Sequence, residues 1–285
     1  MYRSIAESRF LATEFSNFEA RTTSADGGKR SYSGQYLYGK NTYFEFSAGD
    51  PLVEKDAPPG IVSFGLSIDD RQQLPLIGKT LDNALHSHCE IAVKKLFLDG
   101  KDVLWFDAVS PSLPNTIYDA TDFWISAVYP SYLKQRYPDL KPNEDGTTRE
   151  KYNARRYNAD LLLKDIVGIK LGVESQEIPL LVEQLKALGF KVKTEGQTTT
   201  AQGPDVTFQL VALAQGPRTI EVQISLSRNK TGQQIYTFGE GSELRFYPNR
   251  TATWTFPGAL RYDEMCTTEA SRRSLTTSLA SLCPH

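Results

Sequence analysis

Apolar positions along residues 60–130 change period in a fixed order. Ile61-Val62-Ser63-Phe64-Gly65-Leu66-Ser67-Ile68 reads as a short strand that ends at Asp69-Asp70, a good entry to a helix. A helix over about 74–85 follows, weakened by Pro75 and Gly78. Two apolar runs, 90–98 and 103–109, then flank Asp99-Gly100, the dipeptide that best signals a tight hairpin. Residues 123–129, rich in aromatic and β-branched side chains, predict one more strand, stopped by Pro130.

The same order returns downstream. Residues 166–173 predict a strand, Ser175 a helix N-cap, and Ile178, Leu181, Val182, Leu185 and Leu188 one apolar helix face closed by Gly189. Strands are then expected over 190–194, 206–213 and 219–226. A partial copy opens the chain: a helix over about 4–12, a polar loop at 24–29, and strands over 32–38 and 42–46. Repetition of one element order constrains a fold more than any single motif. It predicts an α+β protein of βαβββ modules forming curved, half-open antiparallel barrels. The first half covers 1–130 (partial module 1–50, full module 60–130) and a linker 131–160 leads to a second module over 161–257. A polar tail occupies 258–285.

Composition narrows the function classes. The 285 residues carry 32 basic and 34 acidic side chains, too even a balance to draw in a polyanion, so nucleic acid is not an expected partner. No window approaches the length of an apolar membrane span, so no membrane is expected either. The mixed-charge stretch 134–164 reads as a solvated face, with Arg155-Arg156 either part of that surface or a clamp for a carboxylate or phosphate. Cys89 lies in an apolar pattern and reads as a buried thiol, whereas Cys266 and Cys283 either pair across the tail or stay free. The first residues lack a signal-peptide pattern, so the chain as given reads as cytoplasmic; secretion stays open if a segment precedes it. Asn229-Lys230-Thr231 and Asn249-Arg250-Thr251 match the glycosylation triplet, a pattern that chance supplies often.

The opening strands, Gly60-Ile61-Val62-Ser63-Phe64-Gly65-Leu66-Ser67-Ile68-Asp69 and Ile166-Val167-Gly168-Ile169-Lys170-Leu171-Gly172-Val173, resemble those of the vicinal-oxygen-chelate (glyoxalase-like) superfamily. Residues 219–226 and 42–46 resemble its module-closing strands. More narrowly, Phe10-Leu11, Glu14-Phe15-Ser16 and the run from Gly34 through Tyr43-Phe44-Glu45-Phe46 resemble uncharacterised bacterial proteins of the DUF5829 type. The superfamily resemblance implies paired modules around a barrel. It also implies metal ligands on opening strands and a glutamate on closing ones, positions that fall at Ser63 and Gly168 and at Glu45 and Glu221. Ser63 and Gly168 are not competent ligands, so a metal set remains unknown and a divalent cofactor remains an open alternative.

Candidate chemistry is sparse. His86-Ser87-His88 would need a third donor to hold a metal, and otherwise reads as a turn with exposed imidazoles. Gly34-x-x-x-x-Gly39-Lys40 has the outline of a phosphate loop, but Asn41 replaces the hydroxyl residue and strands flank both sides, so a hairpin turn is expected. Tyr36, Tyr38, Asn41, Tyr43, Trp105 and Trp124 are the expected ligand-binding residues, fit equally to fill a core. Glu45, Asp107 and Glu221 are the candidate catalytic carboxylates, each with a structural alternative as a solvent-side or ion-paired group. Three functions therefore stay open: a protein binding a small organic ligand in an aromatic-lined barrel; a metal-dependent lyase, isomerase or dioxygenase; and a structural protein whose barrel is filled by its own side chains.

Overall fold

A computed structural model describes residues 2–25, 28–47, 62–86, 88–112, 121–139, 148–213, 220–239 and 241–256. The tail over 258–285, with Cys266, Cys283 and His285, lies outside the described residues, as do Ile61, Ser87 and residues 140–147 of the linker.

The chain starts with α1 (Tyr2–Ala6) and a wide helical turn over Leu11–Phe15, closed by the Ser16 amide on the Leu11 carbonyl at 3.1 Å. An antiparallel meander follows: β1 (Asn17–Ala25), β2 (Arg30–Tyr38) and β3 (Tyr43–Ser47). The expected helix over 4–12 is thus two short pieces, and β1 is a strand that the expected element order did not include.

Next come β4 (Val62–Ser67), α2 (Leu74–Leu85), β5 (His88–Leu98), β6 (Lys101–Ser112) and β7 (Thr121–Val128), in the sheet order β4-β7-β6-β5. Asp99 and Gly100 both take positive φ, 48° and 78°, as the expected tight hairpin requires. Pro130 ends the strand run and opens α3 (Pro130–Arg136), and α4 (Arg149–Asn153) precedes the second unit.

That unit is β8 (Leu163–Glu174), α5 (Ile178–Ala187), β9 (Lys191–Glu195), β10 (Thr198–Gln202) and β11 (Thr207–Leu213), in the order β8-β11-β10-β9. In both units the opening strand pairs parallel with the closing one, Phe64 opposite Phe123 and Ile169 opposite Phe208. Residues 62–128 and 163–213 therefore share one βαβββ order and one sheet order. The units also share apolar contacts: the Phe64 ring lies 5.0 Å from Phe123 and 5.2 Å from Phe208, and Leu66 and Leu188 pack against both cores.

Three expectations are corrected. The second unit closes on β11, because Thr198–Gln202 supplies the strand that the sequence pattern missed. The expected closing strand, β12 (Ile220–Leu226), lies antiparallel on the other flank of β8 and leads to β13 (Ile235–Thr237), β14 (Glu243–Tyr247) and β15 (Thr251–Phe256). The residue before α5 is Glu177, with no side-chain cap, so Ser175 is not the N-cap. Among the described residues the strands form sheets of three, eight and four, mixed or antiparallel, without a closed or curled barrel.

The largest core lies between the N-terminal meander and β12–β15. Ile5, Leu11, Phe15, Leu37 and Phe44 meet Val222, Ile224, Phe246 and Trp254 there. Trp254 is fully buried, and its indole N–H donates to Ser242 Oγ at 3.0 Å, so the polar edge is satisfied. Among the described residues no helix is long and apolar enough to cross a membrane.

Candidate functional site

Strand alternation gives the N-terminal meander two unlike faces. Leu37, Phe44 and Phe46 face the large core. The other face carries Glu19 and Arg21 from β1, Tyr32, Gly34, Tyr36 and Tyr38 from β2, and Tyr43 and Glu45 from β3. Cross-strand pairing sets Glu19 opposite Tyr36, Arg21 opposite Gly34, Tyr36 opposite Glu45 and Tyr38 opposite Tyr43. Gly34 makes room for this layer: a Cβ there would meet Tyr36 Cε2 at 3.0 Å. The Tyr36 ring in turn carries the Arg21 guanidinium 4.1 Å from its centroid.

Residues 148–156 lie against this face. The Thr148 hydroxyl accepts from the Lys151 amide at 3.1 Å and starts α4, whose end brings Tyr152, Asn153 and Arg156 onto the tyrosines. Asn153 Nδ2 donates to the Thr42 carbonyl at 3.1 Å, and Asn17 Nδ2 donates to the Arg156 carbonyl at 2.8 Å. Tyr43 packs on Tyr152 at 6.4 Å and Tyr152 on Tyr132 at 6.2 Å, and the Trp105 indole N–H donates to the Tyr152 hydroxyl at 3.3 Å. Aromatic rings thus run continuously from the meander to the first βαβββ unit.

Two short hydrogen bonds organise the charges. The Tyr36 hydroxyl donates to Glu45 at 2.7 Å and the Tyr38 hydroxyl to Glu19 at 2.7 Å. Arg156 Nε lies 3.5 Å from the same Glu19 oxygen, and Arg21 Nη1 3.9 Å from it. Burial pushes the Tyr36 and Tyr38 hydroxyls well above the usual phenol range, aided at Tyr36 by the Glu45 charge and at Tyr38 by the bond to Glu19. Tyr43 and Tyr152 are pushed up by burial too, so at neutral pH these hydroxyls keep their protons. Glu45 is exposed, yet protein crowding raises its pKa, partly offset by the Tyr36 hydrogen bond and by Arg21. The Glu45 carboxylate is thus open to water on one side and desolvated by protein on the other.

The expected ligand residues divide. Tyr36, Tyr38 and Tyr43 converge, with Trp105 at the end of the ring series. Asn41 belongs to a different arrangement: its amide and Nδ2 donate to Asp165 at 2.7 and 3.1 Å, and Thr42 Oγ1 donates to it at 3.1 Å. In the loop with the outline of a phosphate site, a carboxylate of the chain itself therefore takes the donors. Trp124 lies across Gly65 and stacks on Phe106 at 5.5 Å, within the four-stranded sheet.

The three candidate carboxylates lie in three different sheets. Glu45 belongs to the tyrosine face. Asp107 is buried on β6, accepting from Arg71 Nε and the Tyr129 hydroxyl at 2.7 Å each, the arrangement of a structural ion pair. Glu221 is half-buried on β12, opposite Lys170 and Thr255. Neither Glu45 nor Glu221 sits on the closing strand of a βαβββ unit, so the positions expected for metal glutamates are not realised. Among the described residues no three His, Cys, Asp or Glu side chains form a group that could hold a metal ion. His86 and His88 are both exposed at the α2–β5 turn.

A family model described as a family of unknown function, DUF5829, matches residues 1–256. The chain belongs to this family. Its match takes in the meander, both repeated units and β12–β15, so the tyrosine face lies inside the family's shared region. No protein of curated function matches the chain. A crystal structure of a hypothetical protein from Staphylococcus aureus is similar in fold, with a TM-score of 0.51 at 11% identity, over 84% of this chain and 94% of that one.

Within this DUF5829 chain, sequence reasoning passed over Glu19, Arg21 and Tyr152, and read Arg155 and Arg156 as one pair. The structure separates that pair: Arg155 is exposed and bonds Asp139 at 2.6 Å, whereas Arg156 is buried under the tyrosines. The available signal was in β1, where Glu19, Arg21 and Thr23 alternate with Phe18, Ala20 and Thr22.

Proposed function

We propose that the protein binds a small organic ligand on the tyrosine-rich face of β1–β2–β3, next to α4. One observation carries this reading: a layer of phenols, two guanidiniums and two carboxylates occupies a position that elsewhere in the molecule is filled by Leu, Phe and Trp. Burying the phenols of Tyr36 and Tyr38 with the guanidinium of Arg156 costs several kcal/mol that an apolar layer would not. Folding alone does not call for that composition, and residues held against stability are what a binding site requires. Glu45, exposed at the rim, gives the face an opening to solvent.

The repeated units support a kinship of fold with the vicinal-oxygen-chelate superfamily. The βαβββ order that the resemblance implies occurs twice here, each time with the opening strand parallel to the closing one. The face proposed for binding is outside both units, so this kinship of fold carries no chemistry over to it.

A thermal-shift screen of the full chain tests the binding reading. A ligand that binds only the native state raises the melting temperature by mass action. At least one compound should shift the wild-type melt and shift Tyr36→Phe and Tyr38→Phe distinctly less. A library in which no compound moves the wild-type melt, or in which both variants respond like wild type, contradicts it and favours a face filled by its own side chains.

A further inference from the structure

We infer that the group this face takes is an oxyanion, a carboxylate or a phosphate, seated between Arg21 and Arg156. The inference rests on the binding reading above and names its chemistry.

The hydrogen-bond inventory of the two arginines carries it. Arg21 hydrogen-bonds Tyr36 through its guanidinium, but Arg21 Nε and Arg156 Nη2 are buried and have no hydrogen-bond partner, and Arg156 as a whole is only 6% exposed. The other contacts of Arg156 are long, with Nη1 3.4 Å from the Tyr152 carbonyl and Nε 3.5 Å from Glu19. Charge-assisted bonds close to about 2.7–2.9 Å when an acceptor is free to meet them. Glu19 comes that close only to the Tyr38 hydroxyl, which donates to it at 2.7 Å, and stays 3.5 and 3.9 Å from Arg156 and Arg21. Less buried arginines of the same chain have close carboxylate partners: Arg149 meets Asp205 at 2.7 Å, Arg155 meets Asp139 at 2.6 Å and Arg245 meets Glu243 at 2.8 Å. A buried donor without an acceptor is destabilising, so this pair stands out.

The surroundings choose the sign of the ligand. The hydroxyls of Tyr36 and Tyr38 give their protons to hydrogen bonds with Glu45 and Glu19, so the donors left for a ligand are the guanidinium N–H groups, while the two carboxylates offset the two guanidinium charges. Glu45 lies at the outer end, engaged by Tyr36. A cation would meet two guanidiniums, and a ligand without acceptors would leave their N–H groups unpaired. An oxyanion brings several lone pairs to the place where acceptors are lacking. Ring faces beside it suit a flat organic body, since Tyr36 and Tyr38 stack at 6.1 Å with 11° between their planes.

The test is calorimetric titration of the full chain at low salt with four probes: 4-hydroxybenzoate, its neutral amide 4-hydroxybenzamide, phenyl phosphate and inorganic phosphate. Either the acid or a phosphate should bind at least about tenfold more tightly than the amide, and Arg21→Lys and Arg156→Lys should each remove about tenfold of that affinity. Which probe binds best separates a carboxylate from a phosphate ligand. Nitrogen-15 NMR of the wild-type Arg Nε–H resonances covers the case in which a variant does not fold: binding should move the Arg21 signal. If the amide binds as tightly as the acid, the inference fails while the binding reading stands. If no anionic probe binds below about 10 mM, or binding leaves the Arg21 signal in place, the inference fails as well, and the compound screen alone decides the binding reading.

Discussion

The Tyr36 hydroxyl donates a 2.7 Å hydrogen bond to Glu45, its direct neighbour across the β2–β3 pair. This contact ties the rim of the tyrosine face to its buried interior. Crowding by protein nonetheless raises the Glu45 pKa above the usual carboxylate value. A carboxyl with a raised native pKa binds more protons in the folded state, so its contribution to stability is present at low pH and lost as pH rises through the native pKa. Glu45→Gln, which keeps an acceptor for Tyr36, should therefore match wild type near pH 4 and become relatively more stable towards about pH 7. Melting curves of both proteins across that interval check the sign.

Asp165 fixes the β2–β3 turn. Its carboxylate accepts from Asn41 and Thr42, and Thr42 Oγ1 also accepts from the Ile166 amide at 2.8 Å. Asp165→Ala leaves those donors without their acceptor and should lower stability by about 2–4 kcal/mol in urea denaturation. Gly39→Ala should also destabilise, because a Cβ there would stand 2.6 Å from the Lys164 carbonyl oxygen.

Asp107 and its partners make a different expectation from the tyrosine face. Removing the carboxylate leaves Arg71 and Tyr129 without their shared acceptor, so Asp107→Ala should cost about 1–3 kcal/mol. The ligand-induced thermal shift should persist in that variant, as Asp107 lies in the four-stranded sheet away from the tyrosines. A lost shift in a folded Asp107→Ala protein would return Asp107 to the list of site residues.

Two glycines should respond in opposite directions. A Cβ on Gly65 would meet the Trp124 ring at 2.5 Å, so Gly65→Ala should displace the indole and cost about 1–3 kcal/mol, with a change in tryptophan emission. At Gly78, inside α2, the nearest atoms are Val109 methyls at 3.8 Å. Gly78→Ala should there raise stability by about 0.5–1 kcal/mol through the helix preference of alanine.

Much of the architecture could be read from the chain because periodicity and turn chemistry agreed. The α2 helix, the Asp99-Gly100 hairpin and the Gly189 helix end, at φ +83°, lie where the residues put them. Elements were missed where the buried positions are not apolar enough to set a period. In β10, Thr199 and Ala201 are buried within Thr-Thr-Thr-Ala-Gln, and in β1 the inward face carries Glu19 and Arg21. Missing β10 shifted the closing strand of the second unit to β12 and with it the supposed role of Glu221. Within the site, Tyr36, Tyr38 and Tyr43 were legible as a group because they share one hairpin. Arg156 was not, since its contact with Tyr38 spans more than a hundred residues and follows from the placement of α4.

The most direct measurement is a crystal structure of the full chain grown with the compound that raises its melting temperature most. The ligand should lie against Tyr36, Tyr38 and Tyr43, with an oxyanion within hydrogen-bond reach of Arg21 and Arg156. A compound seated elsewhere, with these rings and both guanidiniums arranged as in the free protein, would contradict the assignment of this face as the binding site.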